Sequence, residues 1–407
     1  MSKTKILMAS TVLAAPAIVH MSAYANNLTG LIPSLYAGLD TVSRELVGYV
    51  PSVSRSSGVE RAAVGQSVTY SIAPEAVLED VVSQMTLTTP PDKNMGNGVM
   101  TISNSKKTSF GFNGEEQRGL DTGIGYDVVQ ADLFAQGLRT LTNAMERDLA
   151  LEAATNASRA YGTAGTAPLE TGLKDLAQIR KILDDNGAPA SGRTTVLDTS
   201  AGANVRANAL FTKVNEAGSM MTRAQGELMQ TFGMSLKESA QAAQHTAGTA
   251  AGATTDATGY AVGATVITLA SAGTGAVLPG DVISFAGSDN KYLVVAGDAA
   301  VAGGGTITIS APGLVRAIPA AATAVTLADD YSANVAFSMD AIHFATRAPA
   351  KPREGDARVD EMMMVDPRSG IAFEVSLWAG ERMMKYEVAA AWGQKAVKRE
   401  HIALLLG

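Results

Sequence analysis

The chain has 407 residues and a formal net charge of −7, from 39 acidic against 32 basic residues. This acidic balance argues against binding nucleic acid through a basic surface, and the absence of cysteine excludes disulfides, thiolate zinc sites and cysteine nucleophiles. Charged residues make up only 17% of the chain, below the usual value of about a quarter, which favours a surface that largely meets other protein. At roughly 150 residues per domain, two to three domains are expected.

The first 25 residues imitate a secretory signal peptide. Lys3 and Lys5 precede an apolar run over residues 6–19, and Ala23-Tyr24-Ala25 has the small-x-small pattern of a signal-peptidase site. The run is shorter than the roughly 20 apolar residues that a membrane span needs, so no membrane anchor is expected. Three interpretations are open: a cleaved signal, an amphipathic N-terminal arm, and a later start at Met21.

Residues 31–44 carry apolar side chains at helical spacing, which predicts a short helix. The pattern then changes, and residues 64–72, 99–103 and 108–112 alternate apolar and polar side chains between turn signals. These segments predict a long β-arm with little core of its own. Such an arm is stable only where something else covers it.

The strongest helix prediction covers residues 126–161. Phe134, Leu138, Leu141, Met145 and Leu149 recur at spacings of three and four residues, so they share one face. At about 1.5 Å per residue this helix would extend on the order of 50 Å, as a rigid spine. The opposite face carries polar side chains, namely Asp132, Gln136, Arg139, Asn143 and Arg147.

The rest of the chain divides into three parts. A helix over 173–183, a strand over 194–198, a helix over 201–214 and a strand over 235–240 predict an α/β unit. Short strands over 265–269, 281–285, 292–295 and 306–309, separated by Gly-rich turns, predict an inserted small β-barrel or sandwich. Strands over 333–345, 371–378, 383–391 and the apolar run 402–406 complete the chain.

One catalytic motif occurs, but in the wrong setting. Ser103 and Lys106 match the S-x-x-K of serine β-lactamases, whose chemistry needs that serine at the start of a helix with the lysine one turn later. Here the motif lies in a strand-like arm without the companion motifs, so a structural role is favoured.

The other candidate groups also favour structural roles. The four histidines, His20, His245, His343 and His401, are scattered and have no metal-binding spacing. The acid pairs 115–116 and 329–330 are expected to be solvated loop charges, the methionines 362–364 to pack in a core or an interface, and Gly123 and Gly125 to form a hinge. The sequence therefore nominates no catalytic residue, no cofactor-binding residue and no metal ligand, and predicts that the protein is not an enzyme.

Five segments in a fixed order resemble the major capsid proteins of tailed bacteriophages, and most closely the podovirus coat proteins that carry an inserted β-domain. They are VGQSVTY at 64–70, FNGEE at 112–116, QHTAGT at 244–249, LPGDVISFAG at 278–287 and NVAFSMDAI at 334–342. The resemblance covers roughly residues 28–407. The N-terminal apolar run departs from it, being more hydrophobic than an ordinary arm.

The resemblance implies an α+β fold of the tailed-phage capsid type. Its expected parts are an N-terminal arm (1–60), an extended β-arm or E-loop (61–118) and a spine helix with the peripheral domain (119–172). An axial α/β domain (173–245), an inserted β-barrel (246–328) and return strands (329–407) follow.

The function implied is structural. The chain would assemble with itself into hexamers and pentamers of an icosahedral head that encloses double-stranded DNA without sequence-specific binding. Scaffolding, portal and decoration proteins are the other candidate partners, with no cofactor and no membrane. Its expected location is the virion capsid, and the host cytoplasm during assembly.

Two other functions are weighed against this one. An exported Gly/Ala/Thr-rich surface or adhesion protein is favoured by the signal-like start, and predicts cleavage after Ala25. A periplasmic serine hydrolase rests on Ser103 and Lys106 alone, and predicts labelling of Ser103 by a β-lactam or ester probe.

Overall fold

The computed structural model describes residue 35 and residues 47–72, 96–122, 125–170, 172–208, 230–366 and 370–407. The signal-like residues 1–25, nearly all of the helix predicted over 31–44, the distal part of the predicted arm and the second half of the helix predicted over 201–214 lie outside these ranges. Within the described ranges the chain has the mixed α+β architecture that the sequence predicts. None of the helices described there is both long enough and apolar enough to cross a membrane.

The described residues form four α-helices and twenty strands. The helices are α1 (Gly114–Asp121), α2 (Tyr126–Thr155), α3 (Lys174–Asp185) and α4 (Thr199–Ala207). The strands of the first half are β1 (Ser54–Ala62), β2 (Ser67–Ile72), β3 (Gly96–Thr101), β4 (Asn104–Asn113), β5 (Arg159–Tyr161), β6 (Arg193–Leu197), β7 (Gln230–Thr231), β8 (Met234–Glu238), β9 (Gln244–His245) and β10 (Val266–Leu269). Those of the second half are β11 (Val282–Phe285), β12 (Lys291–Ala296), β13 (Gly305–Ile309), β14 (Val325–Leu327), β15 (Tyr331–Ser338), β16 (Ile342–Pro349), β17 (Arg358–Val365), β18 (Ala372–Gly380), β19 (Met383–Ala396) and β20 (Ile402–Leu406).

A six-stranded sheet, here called the body sheet, has the order β1-β16-β19-β18-β17, with β4 also paired to β19. Only the β1–β16 pair is parallel. The long strand β19 pairs with β4 along the whole of β4, from Met383 opposite Asn113 to Trp392 opposite Asn104. The strand predicted over 108–112 therefore lies in the body sheet, where β19 supplies its backbone partner. Of the strands predicted for the arm, β2 and β3 form a separate two-stranded sheet.

A twelve-stranded sheet, here called the axial sheet, runs β10-β13-β12-β5-β20-β15-β6-β8-β7, with β9, β11 and β14 attached to its side. Helices α3 and α4 bury one apolar face against it, including Leu176, Ile179, Ala201 and Val205. The other face shares a continuous core with α2 and the body sheet. The α/β unit predicted for this region is thus present.

Helix α2, here called the spine helix, ends earlier than predicted. Residues 159–161 form strand β5, which lies between β20 and β12. The prediction that the helix reaches residue 161 is wrong because this segment finds partners on two strand edges, which periodicity along the chain does not reveal.

Residues 246–328, here called the insert, have their own core, which includes Ile267, Phe285, Tyr292 and Ile307. The strand order is β10-β13-β12-β11-β14. Bridges join Thr254 to Ala324 and Thr255 to Leu269, so the two ends of this row are connected through one short segment. The strand pairings and these isolated bridges together form a ring.

The strand predicted over 333–345 is two strands. A 3₁₀ turn at Met339–Ala341 separates β15 from β16. Strand β15 pairs with β20 and β6 in the axial sheet, whereas β16 pairs with β1 and β19 in the body sheet. The chain changes sheets at this turn, which is why an unbroken apolar pattern does not give one continuous strand.

Candidate assembly surfaces

The β2–β3 hairpin, here called the arm, is a two-stranded ribbon. Its strands pair antiparallel from Ser67 opposite Thr101 to Ile72 opposite Gly96, and neither contains a charged residue. Val99 is 43% exposed. In the part of the chain that the structure describes, β2 and β3 pair only with each other. The arm thus presents uncharged strand edges, the type of surface on which another chain can add a strand.

The root of the arm packs tightly on the body sheet. Met100 and Ile102 are buried with Ala62, Ala345 and Ala391 in a small cluster of their own. Two hydrogen bonds, from Gly65 N to Ile102 O at 2.8 Å and from Ile102 N to Gln66 O at 2.9 Å, close the root. The arm is therefore anchored at one end.

A cluster of charged side chains links three strands beside this root. Glu374 on β18 is only 2% exposed, and its carboxylate accepts from Arg61 Nη1 at 2.8 Å and also pairs with Arg358. Arg61 Nη2 lies 3.0 Å from Glu361 Oε2. The Lys351 ammonium, with Arg61 and Arg358 adding to it, holds the pKa of Glu361 below its usual value. The cluster joins β1, β17 and β18 where the chain leaves for the arm.

The spine helix divides into faces as predicted. Phe134, Leu138, Leu141, Met145 and Leu149 are all at most 2% exposed. The polar residues predicted for the opposite face are exposed, apart from a half-buried Asn143. This rigid element, about 45 Å long at 1.5 Å per residue, carries the body sheet on one side.

One buried carboxylate on the spine helix holds the segment that precedes β1. Glu146 is 0% exposed, and its two oxygens accept the backbone N–H groups of Gly48, Tyr49 and Val50 at 2.6, 2.8 and 2.9 Å. These N–H groups begin the 3₁₀ turn at Val50–Ser52. Burial raises the pKa of Glu146, and the three N–H donors oppose that effect.

Lys237 on β8 completes this anchor. Its ammonium donates to Ser52 Oγ at 2.8 Å, and Ser52 Oγ donates to Gly48 O at 2.6 Å. Burial lowers the pKa of Lys237, whereas the Glu146 charge favours its protonated form. No local sequence motif signals the anchor, since its groups lie on three separate elements.

A second side chain links the spine helix to the body sheet. Asp148 Oδ2 accepts from Trp392 Nε1 and from Asn104 Nδ2, both at 3.0 Å. Trp392 is fully buried. The carboxylate thus holds β19 and β4 against the helix at one point.

The insert is fastened to the body by a group of contacts here called the insert latch. His245 Nε2 lies 2.7 Å from Asp281 Oδ1, and the same buried carboxylate accepts from Gly248 N at 3.0 Å and Leu278 N at 2.7 Å. The Tyr331 hydroxyl donates to the carbonyl of Gly280 at 2.7 Å.

The backbone around the latch leaves little room for other residues. Gly280 has a φ of +95°, and a Cβ there would lie 2.9 Å from the His245 ring. A glycine meets both conditions at once, because it tolerates positive φ and has no side chain. Both strands that enter and leave the insert, β9 and β15, pair at His245 opposite Tyr331.

The groups of the predicted S-x-x-K motif do not form a catalytic arrangement. Ser103 lies between β3 and β4, and its backbone N–H donates to Trp392 O at 3.0 Å. The Lys106 ammonium lies 5.5 Å from the centroid of the Trp392 ring. Neither residue stands at a helix start, so the setting required for a serine nucleophile is not present.

The described histidines have different surroundings. His20 is outside the described residues; His245 belongs to the insert latch, His343 stacks on Tyr70 in the body sheet, and His401 ends the 3₁₀ turn at Arg399–His401. In the described ranges no group of three or more His, Asp or Glu side chains is placed to hold a metal ion.

Several predicted loop charges have local partners. Glu116 forms a capping box with Asn113 at the start of α1, with both hydrogen bonds at 2.8 Å. Asp330 is exposed, but it accepts from Ala247 N at 2.7 Å beside the insert latch.

Gly125 caps the spine helix with a φ of +101°. Met364 is fully buried in β17 and Met362 packs against the same core, which agrees with the expected packing role.

Comparisons with known proteins give matches at the level of structure. No protein-family model matches the chain, and none of the curated proteins matches it. One similar solved structure is the capsid of Ralstonia phage GP4, at 7% identity and a TM-score of 0.45, covering 99% of this chain and 97% of that chain. A second is the capsid of cyanophage P-SCSP1u, at 12% identity and a TM-score of 0.45, covering 86% and 85%. A virus-like particle from Pyrococcus furiosus matches at 11% identity and a TM-score of 0.42, covering 92% and 99%.

Proposed function

We propose that this chain is the major capsid protein of a tailed bacteriophage, a structural subunit that assembles with itself into an icosahedral head around double-stranded DNA. The observation that carries the proposal is the arm: an uncharged two-stranded ribbon whose strands, in the described chain, pair only with each other. An isolated two-stranded ribbon is at best marginally stable in water. A neighbouring copy of the same chain would supply the missing cover.

Two further features fit a shell subunit. The spine helix is held to the segment before β1 by Glu146 and to the body sheet by Asp148, so a force applied to one element passes to the others. The acidic net charge of −7 suits a wall that encloses DNA without gripping its phosphates.

We also propose how the chain divides into domains. Residues 1–60 would form the N-terminal arm, 61–118 the extended arm with the strand that returns from it, and 119–172 the spine helix and peripheral domain. Residues 173–245 would form the axial domain, 246–328 an inserted β-barrel, and 329–407 the return strands. The ring of strand pairings supports the barrel assignment.

The finer elements of the proposal concern partners and location. Hexamers and pentamers of this chain would form the shell, with a scaffolding protein, a portal protein and a decoration protein as candidate partners. Assembly would take place in the host cytoplasm. The described side chains offer a structural role rather than a catalytic one.

The proposal is tested by negative-stain electron microscopy of the high-speed pellet from cells that make residues 1–407 together with the phage's scaffolding protein. The N-terminus of the same protein is read by mass spectrometry. Closed shells or tubes of capsomers that retain residues before Asn26 support the proposal. A monomer that begins at Asn26 in the periplasm would contradict it and favour the exported surface protein.

A further inference from the structure

The arm rests on the body sheet at two neighbouring points beyond its root. On β2, the ring of Tyr70 stacks on the ring of His343, with centroids 4.9 Å apart and an interplanar angle of 14°. On β3, the carbonyl of Val99 accepts from Lys395 Nζ at 2.7 Å.

These two contacts form one unit. Tyr70 lies opposite Gly98 and Thr69 opposite Val99 in the arm, so the two contact points occupy adjacent positions of the ribbon. On the body sheet, His343 and Lys395 are themselves directly opposite each other in the β16–β19 ladder. Two diagonal neighbours of the arm, Tyr70 and Val99, therefore contact a cross-strand pair of the body sheet.

Gly98 is necessary for this arrangement. The Tyr70 ring lies so close over Gly98 that a Cβ at that position would overlap the ring atoms. The missing side chain lets Tyr70 lie flat across the ribbon and reach His343.

We propose that Tyr70, His343, Val99 and Lys395 form an arm latch that fixes the arm against the body sheet, and that protonation of His343 releases it. This latch acts within one chain, and its release does not depend on what the arm contacts in an assembly.

The groups facing His343 explain the direction of the switch. Lys395 on β19 is its cross-strand partner, Ser54 on β1 lies on its other side, and Tyr70 covers its ring. Asp340, in the preceding turn, favours the charged form, but burial outweighs it and lowers the pKa of His343. The Tyr70 ring lies against the His343 ring in the latched state, so it adds to the burial that disfavours the protonated ring.

The pH dependence of arm opening has a definite direction. Lifting the arm exposes the His343 ring to water, where it binds a proton more readily than under Tyr70. The open state therefore binds more protons, so acid favours opening and neutral pH favours the latched arm.

The contacts at stake are weak enough for a switch. Tyr70 and His343 are both only partly buried, and Lys395 is exposed, so opening costs one ring stack, one hydrogen bond and the packing of Tyr70 against the root cluster. The root cluster around Met100 and Ile102 stays buried and can serve as the fixed end.

The test uses the absence of cysteine in the chain. The variant Asn97→Cys/Thr155→Cys places one nitroxide on an exposed arm position and one on the exposed face of the spine helix. Pulsed electron paramagnetic resonance then measures the distance between the labels in full-length protein diluted with unlabelled chain, at pH values of about 8 and about 5.

We expect one narrow distance peak at the higher pH and loss of that peak at the lower pH. His343→Phe, which keeps an aromatic ring and cannot take up a proton, should retain the narrow peak at both pH values. Tyr70→Leu should lack it at both, with unchanged circular dichroism. An unchanged wild-type distribution between the two pH values overturns the inference, as does acid opening of His343→Phe to the same extent as wild type.

Discussion

The carboxylate of Glu146 accepts the backbone N–H of Tyr49 at 2.8 Å, although 97 residues separate them in the chain. Through this contact the middle of the spine helix fixes the path by which the chain enters the body sheet. Tyr49 also stacks on Phe337 of β15, with centroids 6.0 Å apart. Spine helix, axial sheet and the segment before β1 therefore meet at one buried point.

Removing this carboxylate should strongly destabilise the fold. In Glu146→Ala three buried backbone N–H groups lose their acceptor, and leaving one such group unsatisfied costs about 1–3 kcal/mol. In Glu146→Gln the amide oxygen can still accept two of these N–H groups, but its NH₂ places a donor against the third, so stability should be restored only in part. Urea unfolding followed by circular dichroism measures both variants.

The control for this prediction is Asp132→Asn on the exposed face of the same helix. A surface substitution of this kind should change stability by no more than about 0.5 kcal/mol. Equal urea midpoints for Glu146→Ala and wild type would show that the anchor does not support the fold.

The insert latch should depend on Asp281. Asparagine at this position has one acceptor oxygen for the two backbone N–H groups and the His245 ring that the carboxylate now serves. Asp281→Asn should therefore speed amide exchange over residues 245–250 and 278–281 and destabilise the protein by about 2 kcal/mol. Hydrogen exchange measured by mass spectrometry reports both segments.

Asp289→Asn, on an exposed turn of the same insert, is the matched control and should leave these exchange rates unchanged. If Asp281→Asn showed the same exchange rates as Asp289→Asn, the latch contacts would not contribute to holding the insert.

The contact between Asp148 and Trp392 can be followed by fluorescence. Trp392 is buried and Trp378 is the only other tryptophan, so Trp378→Phe isolates the signal. In that background, Asp148→Ala leaves the Trp392 indole N–H without its carboxylate acceptor, which should destabilise the protein by about 1–3 kcal/mol. The emission should also shift to the red as water reaches the indole. A variant with unchanged emission and unchanged thermal midpoint would contradict this role of Asp148.

Arg193 should stabilise the end of α3 in a way that lysine cannot replace. Its guanidinium, 3% exposed, donates to Asp184 Oδ1 at 2.6 Å and to the carbonyls of Pro189 and Ala188 at 2.7 and 2.6 Å. The Arg193 guanidinium also lowers the pKa of Asp184. Since a lysine ammonium cannot reproduce this planar set of donors, Arg193→Lys should lose about 2 kcal/mol.

The comparison for Arg193 is Lys181→Met. Lys181 is exposed and pairs with Asp185 four residues along the same helix, and such pairs contribute only about 0.3–0.5 kcal/mol. Thermal unfolding should separate the two variants clearly. Equal losses of thermal stability in the two variants would mean that the buried guanidinium contributes no more stability than the exposed ion pair.

Much of this architecture follows from local patterns in the sequence. The apolar spacing of Phe134 to Leu149 predicts the buried face of the spine helix. Short apolar segments between Gly-rich turns predict β10 to β13 of the insert to within one residue, but β14 is missed. Strands β1 and β17 escape prediction because their sequences, SRSSGVERA and RVDEMMMV, lack a clean alternation. Each becomes a strand by pairing with a neighbour in the body sheet.

The insert latch and the Glu146 anchor depend on contacts between residues that lie far apart in the sequence, and no local pattern predicts such contacts. His245 and Asp281 lie in two of the segments that carry the family resemblance, yet their contact spans 36 residues. The sequence shows a histidine without a nearby carboxylate, and only the fold brings the two together. Glu146 carries no signal at all, because a single acid in a long amphipathic helix is indistinguishable from a solvated one until its partners are placed.

Cryo-electron microscopy of large particles from cells that make the full chain with the proposed scaffolding protein tests the central claim most directly. The proposed function predicts closed shells in which strands β2 and β3 of one copy lie against a neighbouring copy. Particles in which the arm contacts only its own chain, or a protein that stays monomeric in the presence of the scaffolding protein, would contradict it.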